Sequence, residues 1–306
     1  MEIFLARTQG FCAGVASAVE IVEQALVKYG APLYVYHEIV HNTYVVADFK
    51  NRGVVFVESI DEVPSDSRII FSAHGIPPSV IAKAKQRGLK FVDATCPLVT
   101  KVHKEAVKFS AKKYEIILIG HKGHQELTGT AGYVDPELLH IVETEKDVDS
   151  LDISSDEEVS YLTQTTLSVD ETAGIIKKLK MKFPRLLAPA RADICYATQN
   201  RQDSVKELAQ KCDIIIICGS PNSSNSNRLR ETGANYGVES YIIDRAEEFD
   251  MKKLNGKNKV GISSGASVPR WIVDELVNKI KSSFPKVIVH SFDNPEKNII
   301  FPLPAI

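Results

Sequence analysis

Of the side chains in this 306-residue sequence, the five cysteines at positions 12, 96, 195, 212 and 218 are the ones best suited to hold a metal or carry electrons. Their number is odd and no Cys-x-x-Cys pair occurs, which sets aside a disulfide framework, a zinc ribbon and a thioredoxin-like redox pair. Cys12 lies in Gln9-Gly10-Phe11-Cys12-Ala13-Gly14, Cys96 between Asp93-Ala94-Thr95 and Pro97, and Cys195 after Arg191-Ala192-Asp193-Ile194. Each is expected just ahead of a helix N-terminus, where N–H groups and the helix dipole favour a thiolate. Steps of 84 and 99 residues separate them, each about the length of a small domain. That spacing fits one metal-binding cysteine per structural unit, and it also fits three unrelated structural cysteines at strand–helix turns. Cys212 and Cys218 flank Asp213-Ile214-Ile215-Ile216-Ile217 and read as small apolar residues of a buried strand.

A second group of chemical side chains follows apolar runs. Ile69-Ile70-Phe71 leads into Ser72-Ala73-His74-Gly75, and Ile116-Ile117-Leu118-Ile119 into Gly120-His121-Lys122-Gly123-His124-Gln125-Glu126. Tyr161-Leu162 leads into Thr163-Gln164-Thr165-Thr166, and the isoleucine run into Gly219-Ser220-Pro221-Asn222-Ser223-Ser224-Asn225-Ser226-Asn227. Val260-Gly261-Ile262 leads into Ser263-Ser264-Gly265-Ala266-Ser267. In parallel α/β sheets ligands bind beyond the carboxyl ends of strands, so these loops describe a hydrogen-bonding pocket poor in Lys and Arg. Ser223, Ser224, Asn225, Ser226 and Asn227 exceed what a helix cap requires and are expected to cradle an anion. His41, His74 and His124 are candidate donors to a diphosphate, while the other histidines read as structural or surface residues. Glu126 is a candidate proton donor, with Thr165 beside it. No GxxxxGK[ST] or GxGxxG follows a strand, which argues against nucleoside triphosphates and dinucleotides.

The elements that must carry these residues are legible as alternating β-branched runs and amphipathic stretches, an α/β pattern with mainly parallel sheets. Strands are predicted at 3–6, 33–36, 54–57, 68–72, 91–94, 115–119, 159–163, 213–218, 240–243 and 259–263. Helices are predicted at 15–29, 79–87, 97–113, 169–183, 199–210 and 268–284. Cuts near Cys96 and Asp193 leave three similar small α/β units: 14–95, 96–193, and 194–284 with 1–13. Residues 285–306 read as an extended C-terminal arm. A charged share of 25% and an apolar share of 44% exclude disorder. A net charge of −2 argues against nucleic-acid partners. No apolar run reaches the ~18–20 residues of a membrane span, and the N-terminus lacks a signal-peptide pattern. The expected setting is cytoplasmic.

Taken together, the motifs resemble the 4-hydroxy-3-methylbut-2-enyl diphosphate reductase family, the last enzyme of the non-mevalonate route to isoprenoids. The matching stretches are Gly10-Phe11-Cys12-Ala13-Gly14-Val15, His37-Glu38-Ile39-Val40-His41-Asn42, Phe71-Ser72-Ala73-His74-Gly75 and the run from Asp93 through Cys96-Pro97 to His103. They continue with Gly123-His124, Thr163-Gln164-Thr165-Thr166, Asp193-Ile194-Cys195-Tyr196, the run from Asn222 to Arg228, and Gly265-Ala266-Ser267. The resemblance implies three α/β units around a central cavity that holds a four-iron, four-sulfur cluster on Cys12, Cys96 and Cys195, with one iron left open. It implies two-electron reductive dehydroxylation of the diphosphate substrate to isopentenyl and dimethylallyl diphosphate, the open iron taking the allylic oxygen and Glu126 giving a proton. By the same matching, His41, His74, His124, Ser223, Ser224, Asn225 and Ser267 bind the diphosphate, and Thr165 lies near the reacting hydroxyl. Electrons would come from an external ferredoxin or flavodoxin. Two positions depart from the common family pattern: Arg7-Thr8-Gln9 precedes the first motif where many members have Asn-Pro-Arg, and Gln125 stands where many have Pro. The rival reading is an iron–sulfur hydro-lyase acting on a hydroxy acid, which would clamp a carboxylate with Arg. A non-catalytic diphosphate- or iron-sensing module is a third.

Overall fold

The computed structural model describes residues 1–154 and 157–306. Its strands are β1 (Glu2–Leu5), β2 (Leu33–Tyr36), β3 (Val54–Val57), β4 (Arg68–Phe71), β5 (Lys90–Asp93), β6 (Glu115–Ile119), β7 (Leu139–Val142), β8 (Val159–Thr163), β9 (Ile214–Cys218), β10 (Glu239–Ile243), β11 (Lys259–Ser264) and β12 (Ile288–His290). Its α-helices are α1 (Ala13–Tyr29), α2 (Thr43–Asn51), α3 (Pro78–Gln86), α4 (Pro97–Ala111), α5 (Gln125–Ala131), α6 (Glu145–Asp149), α7 (Val169–Lys182), α8 (Tyr196–Ala209), α9 (Ser224–Asn235) and α10 (Arg270–Ser283). The strands form three sheets, ordered β10-β9-β11-β1-β12, β3-β2-β4-β5 and β7-β6-β8. Every pairing described within them is parallel. The expected mixed α/β architecture with mainly parallel sheets is the one found.

Two compact units emerge from the packing. The first comprises Met1–Ala16, His41–Val46 and Tyr196–Ile300, and the second Ser17–Val40, Ala47–Cys195 and Phe301–Ile306. The first holds the five-stranded sheet; the second holds both smaller ones.

In the first unit β9 explains why its sequence is an unbroken isoleucine run. All five of its residues are buried, as a strand covered on both faces requires. Ile214, Ile216 and Cys218 face one cluster with Ile272, Val273, Leu276 and Ile280 of α10. Ile215 and Ile217 face the opposite cluster with Val205 and Leu208 of α8 and Leu229 of α9. The strand period of two thus splits one apolar run between two cores.

The second unit repeats the device. Ile117 and Ile119 of β6 pack with Ile175 and Leu179 of α7, while Ile116 and Leu118 pack with Val102, Ala106 and Phe109 of α4 and Leu127 of α5. In the four-stranded sheet, Ile69 and Phe71 of β4 pack with Val57 of β3 and Ala84 of α3. Ser168 caps α7 by accepting the Glu171 N–H at 3.3 Å.

Among the elements outside the sequence expectations are the helices α2, α5 and α6 and the edge strands β7 and β12. β12, inside the arm at 285–306, pairs with β1 at the sheet edge. β7 is another edge strand, and its run Leu139-His140-Ile141-Val142 is short, with one of the four residues buried. The helix α5 contains Thr128, Gly129 and Thr130, poor helix formers. Gly129 is there for closeness: a Cβ would stand 3.0 Å from the Gly75 carbonyl oxygen. No helix among the described residues is long and apolar enough to cross a membrane.

Candidate active site

In the second unit the polar loops at the carboxyl ends of β4, β6 and β8 hold a proton-handling group. Glu126 sits in the first turn of α5 and is 3% exposed. Its Oε1 accepts the Thr165 backbone N–H at 2.6 Å and its Oε2 accepts the Thr165 hydroxyl at 3.0 Å. Burial dominates the balance and pushes its pKa up to about 7; the two bonds from Thr165 pull the other way, and the charge of Asp193 adds to the rise. A carboxyl group poised near neutrality is suited to giving and taking a proton.

His124 caps the same helix. Its Nδ1 accepts the Glu126 N–H at 3.1 Å, so in the neutral ring Nε2 carries the proton. Its ring stands edge-on to that of His74, with centroids 6.1 Å apart and planes at 90°. Position 125 is the first residue of α5, where a missing N–H costs nothing; Gln and Pro are therefore both accommodated there.

Backbone bonds tie the two cysteines of this unit to the same loops. Cys96 donates its N–H to the Ala73 carbonyl at 3.0 Å, next to His74, and its own carbonyl accepts from Val99 and Thr100 as the cap of α4. Cys195 donates to the Thr165 carbonyl at 3.1 Å.

The first unit carries Cys12, His41, Ser223, Ser224, Asn225 and Ser267. Cys12 donates its N–H to the Ala266 carbonyl at 3.0 Å, and its Sγ accepts the Val15 N–H at 3.5 Å, one turn into α1. The Ser267 hydroxyl donates to the His41 carbonyl at 2.8 Å. Ser223 caps α9, its Oγ accepting the Ser226 N–H at 3.3 Å. The loops around this cap depend on absent side chains: at Gly219 and Gly265 a Cβ would lie 2.3 and 2.1 Å from the Ser226 hydroxyl oxygen. Asn225, 5% exposed, is the most informative residue of the group, because its Oδ1 and Nδ2 are both buried and find no hydrogen-bond partner among the described residues. An unsatisfied buried amide costs about 1–3 kcal/mol, a cost that a polar ligand would remove.

Cys12, Cys96 and Cys195 are partly exposed and outside disulfides. Cys212 and Cys218 are buried, and desolvation pushes both thiols up to about 12. The first three, at helix starts, have the donor chemistry of cluster ligands, and the N–H aimed at Cys12 Sγ is the kind of bond that tunes cluster sulfurs. The buried pair are protonated structural residues. Among the described residues no three His, Cys, Asp or Glu side chains are grouped to hold a single metal ion.

Sequence reasoning took Ser226 as part of an anion cradle rather than as a support of these loops, and it missed the buried charges Asp193, Arg201 and Glu296. Ser226 was in plain view in the Ser/Asn run; the charges carry no local signal, because their partners lie far along the chain.

The sequence profile described as LytB protein matches residues 3–281. The chain belongs to the LytB family. Its LytB relatives include the 4-hydroxy-3-methylbut-2-enyl diphosphate reductase 2 of Burkholderia mallei, 50% identical over 99% of this chain and 92% of that protein. The 4-hydroxy-3-methylbut-2-enyl diphosphate reductase of Acinetobacter baylyi is 47% identical over 99% of this chain and 97% of the relative. Among solved structures, the E-1-hydroxy-2-methyl-but-2-enyl-4-diphosphate reductase of Plasmodium falciparum superposes with a TM-score of 0.95 at 38% identity, covering 99% of this chain and 95% of that one. The chain is thus an oxidoreductase by family.

Proposed function

We propose that this chain reduces 4-hydroxy-3-methylbut-2-enyl diphosphate, taking up two electrons and two protons, breaking the allylic C–O bond, and releasing water with isopentenyl or dimethylallyl diphosphate. The observation that carries the reading is Glu126, a buried carboxyl held at both oxygens by Thr165 and shifted to about 7. A four-iron, four-sulfur cluster on Cys12, Cys96 and Cys195, the donors whose chemistry fits it, would supply the electrons and a Lewis-acidic iron without a protein ligand. A ferredoxin or flavodoxin would feed it, in the cytoplasm.

The protein's own groups do the remaining work. Glu126, protonated below about pH 7, holds the proton that leaves with the allylic oxygen as water. Thr165 keeps both oxygens of that carboxyl in place and offers its hydroxyl to the reacting end of the substrate. His124 presents Nε2–H to the substrate, its ring fixed by the Glu126 N–H on Nδ1. His41, His74, Ser223, Ser224, Asn225 and Ser267 bind the diphosphate, the buried amide of Asn225 gaining the partners it lacks. The three-unit division at 14–95, 96–193, and 194–284 with 1–13 belongs to the same proposal, with Cys96 in the second unit and both Cys12 and Cys195 in the third.

Anaerobic iron and sulfide analysis combined with reductive turnover tests the reading. The expected result is iron and sulfide in equal amounts and turnover that depends on a reductant, with most iron lost in Cys96→Ser. Turnover without any reductant would transfer the chain to the hydro-lyase reading, and iron-free protein after careful reconstitution would overturn the assignment of the cysteines.

A further inference from the structure

The stretches leading into two of the three cysteines are each held by a cation from the helix that follows another of them. Lys101 lies on α4, five residues beyond Cys96. Its Nζ donates to the carbonyl of Arg191 at 2.5 Å, to that of Ala192 at 3.4 Å and to Asp193 Oδ1 at 2.5 Å, the segment that ends at Cys195. The Asp193 carboxylate is wholly buried, and its Oδ2 accepts the Thr163 N–H at 2.9 Å. Arg201 lies on α8, six residues beyond Cys195, and is itself wholly buried. Its guanidinium donates to the Gly10 carbonyl at 2.8 Å, two residues before Cys12, to the Ala197 carbonyl at 2.9 Å, and to Glu296 Oε2 at 3.0 Å. Glu296 comes from the arm beyond β12 and also accepts from Asn200 at 2.9 Å.

Buried ion pairs of this kind are a poor means of stabilising a core. Apolar residues of similar size often do as well or better, because each charge loses its hydration. What a guanidinium or ammonium supplies that a Leu cannot is direction: several donors fixed on named carbonyls. Both cations spend those donors on the backbone just ahead of a cysteine.

We propose that Lys101 and Arg201 are positioning residues for the cluster, Lys101 setting the approach to Cys195 and Arg201, with Glu296, the approach to Cys12. The inference rests on the iron–sulfur reading of the three cysteines. Groups that orient metal ligands commonly change metal retention by about 10–100-fold when altered.

The test uses the full chain reconstituted anaerobically, as wild type, Arg201→Lys, Glu296→Gln and Lys101→Gln. Iron loss to a chelator, the electron paramagnetic resonance of the reduced protein, and KM for the diphosphate are read together, and circular dichroism checks folding. The expected result is iron loss about 10–100-fold faster in each variant, a changed resonance spectrum, and an unchanged KM. Variants that fold and keep the wild-type iron-loss rate and spectrum overturn the inference while leaving the iron–sulfur reading intact. A wild-type chain that takes up no iron overturns that reading and this one with it. Should Arg201→Lys fail to fold, Lys101→Gln and Glu296→Gln decide the question.

Discussion

Glu126 and Asn225 show two ways in which a residue can be unfavourable for the fold and useful to a reaction. For Glu126 the folded protein keeps a proton that an exposed carboxylate would already have lost at pH 4.5. Folded protein therefore binds more protons than unfolded protein between about pH 4.5 and 7, and stability falls as pH rises through that window, by on the order of 3 kcal/mol. His103 acts in the opposite sense. Burial holds its pKa down to about 4, so its contribution is complete above pH 6.5 and is lost as pH falls toward 4. The two slopes oppose each other where they overlap, so denaturant melts of Glu126→Gln are expected to gain stability from pH 4.5 to 6.5 more steeply than those of wild type. The same variant should lose about 10²–10⁴ in kcat, the usual contribution of a positioned proton donor, while the wild-type rate declines above about pH 7. For Asn225 the expectation is a trade. Asn225→Leu removes two unpaired buried polar atoms, so it should raise stability by about 1–2 kcal/mol, visible as a higher melting temperature, and raise KM for the diphosphate about tenfold or more. Residue types at strand ends made the candidate site legible in the sequence, including Thr165 as a partner for the Glu126 proton. The geometry was not, for 39 positions separate the two and the parallel order of β6 and β8 is what lets Thr165 hold both carboxyl oxygens.

At the scale of elements, what was readable depended on how completely each one obeys a single period. β9 is buried on both faces and α10 carries a clean apolar stripe, so both stood out. Truncating Ile216 to Ala should cost about 2–5 kcal/mol, the usual range for a core aliphatic, as chemical denaturation would show. The helix α5 was invisible because close approach, not helix propensity, chose its residues. Gly129→Ala is expected to force α5 away from the Gly75 carbonyl, costing about 1–3 kcal/mol and re-aiming Glu126. Its kcat should therefore fall further than that of a core variant of equal stability. The edge strands β7 and β12 escaped notice for a related reason: an edge is defined by its neighbour's hydrogen bonds, which leave no mark in its own side chains.

For the whole molecule, the decisive fact is that neither compact unit is one continuous stretch. The chain passes between them at 16/17, 40/41, 46/47, 195/196 and 300/301. Residues 47–195 are the longest continuous stretch of the second unit, yet they omit β2, which lies between β3 and β4 in its sheet. That piece is expected to lack a cooperative melt, whereas residues 17–195 supply the missing strand; calorimetry on both would compare them. The fold class was readable because alternation of strand and helix survives any order of strands. The strand orders were not, since they depend on which distant runs pair.

The parallel pairing of β1 with β11 and β12 has a consequence in time. Of these strands the ribosome makes β1 first, and at synthesis rates of about 5–20 residues per second roughly 10–50 s pass before β11 exists to receive it. Throughout that interval β1 lacks both of its sheet partners, while the strands of the two smaller sheets are made before it ends. Under the proposed ligand set, the loop bearing Cys12 takes its folded place beside β11 only after residues 259–264 have been made.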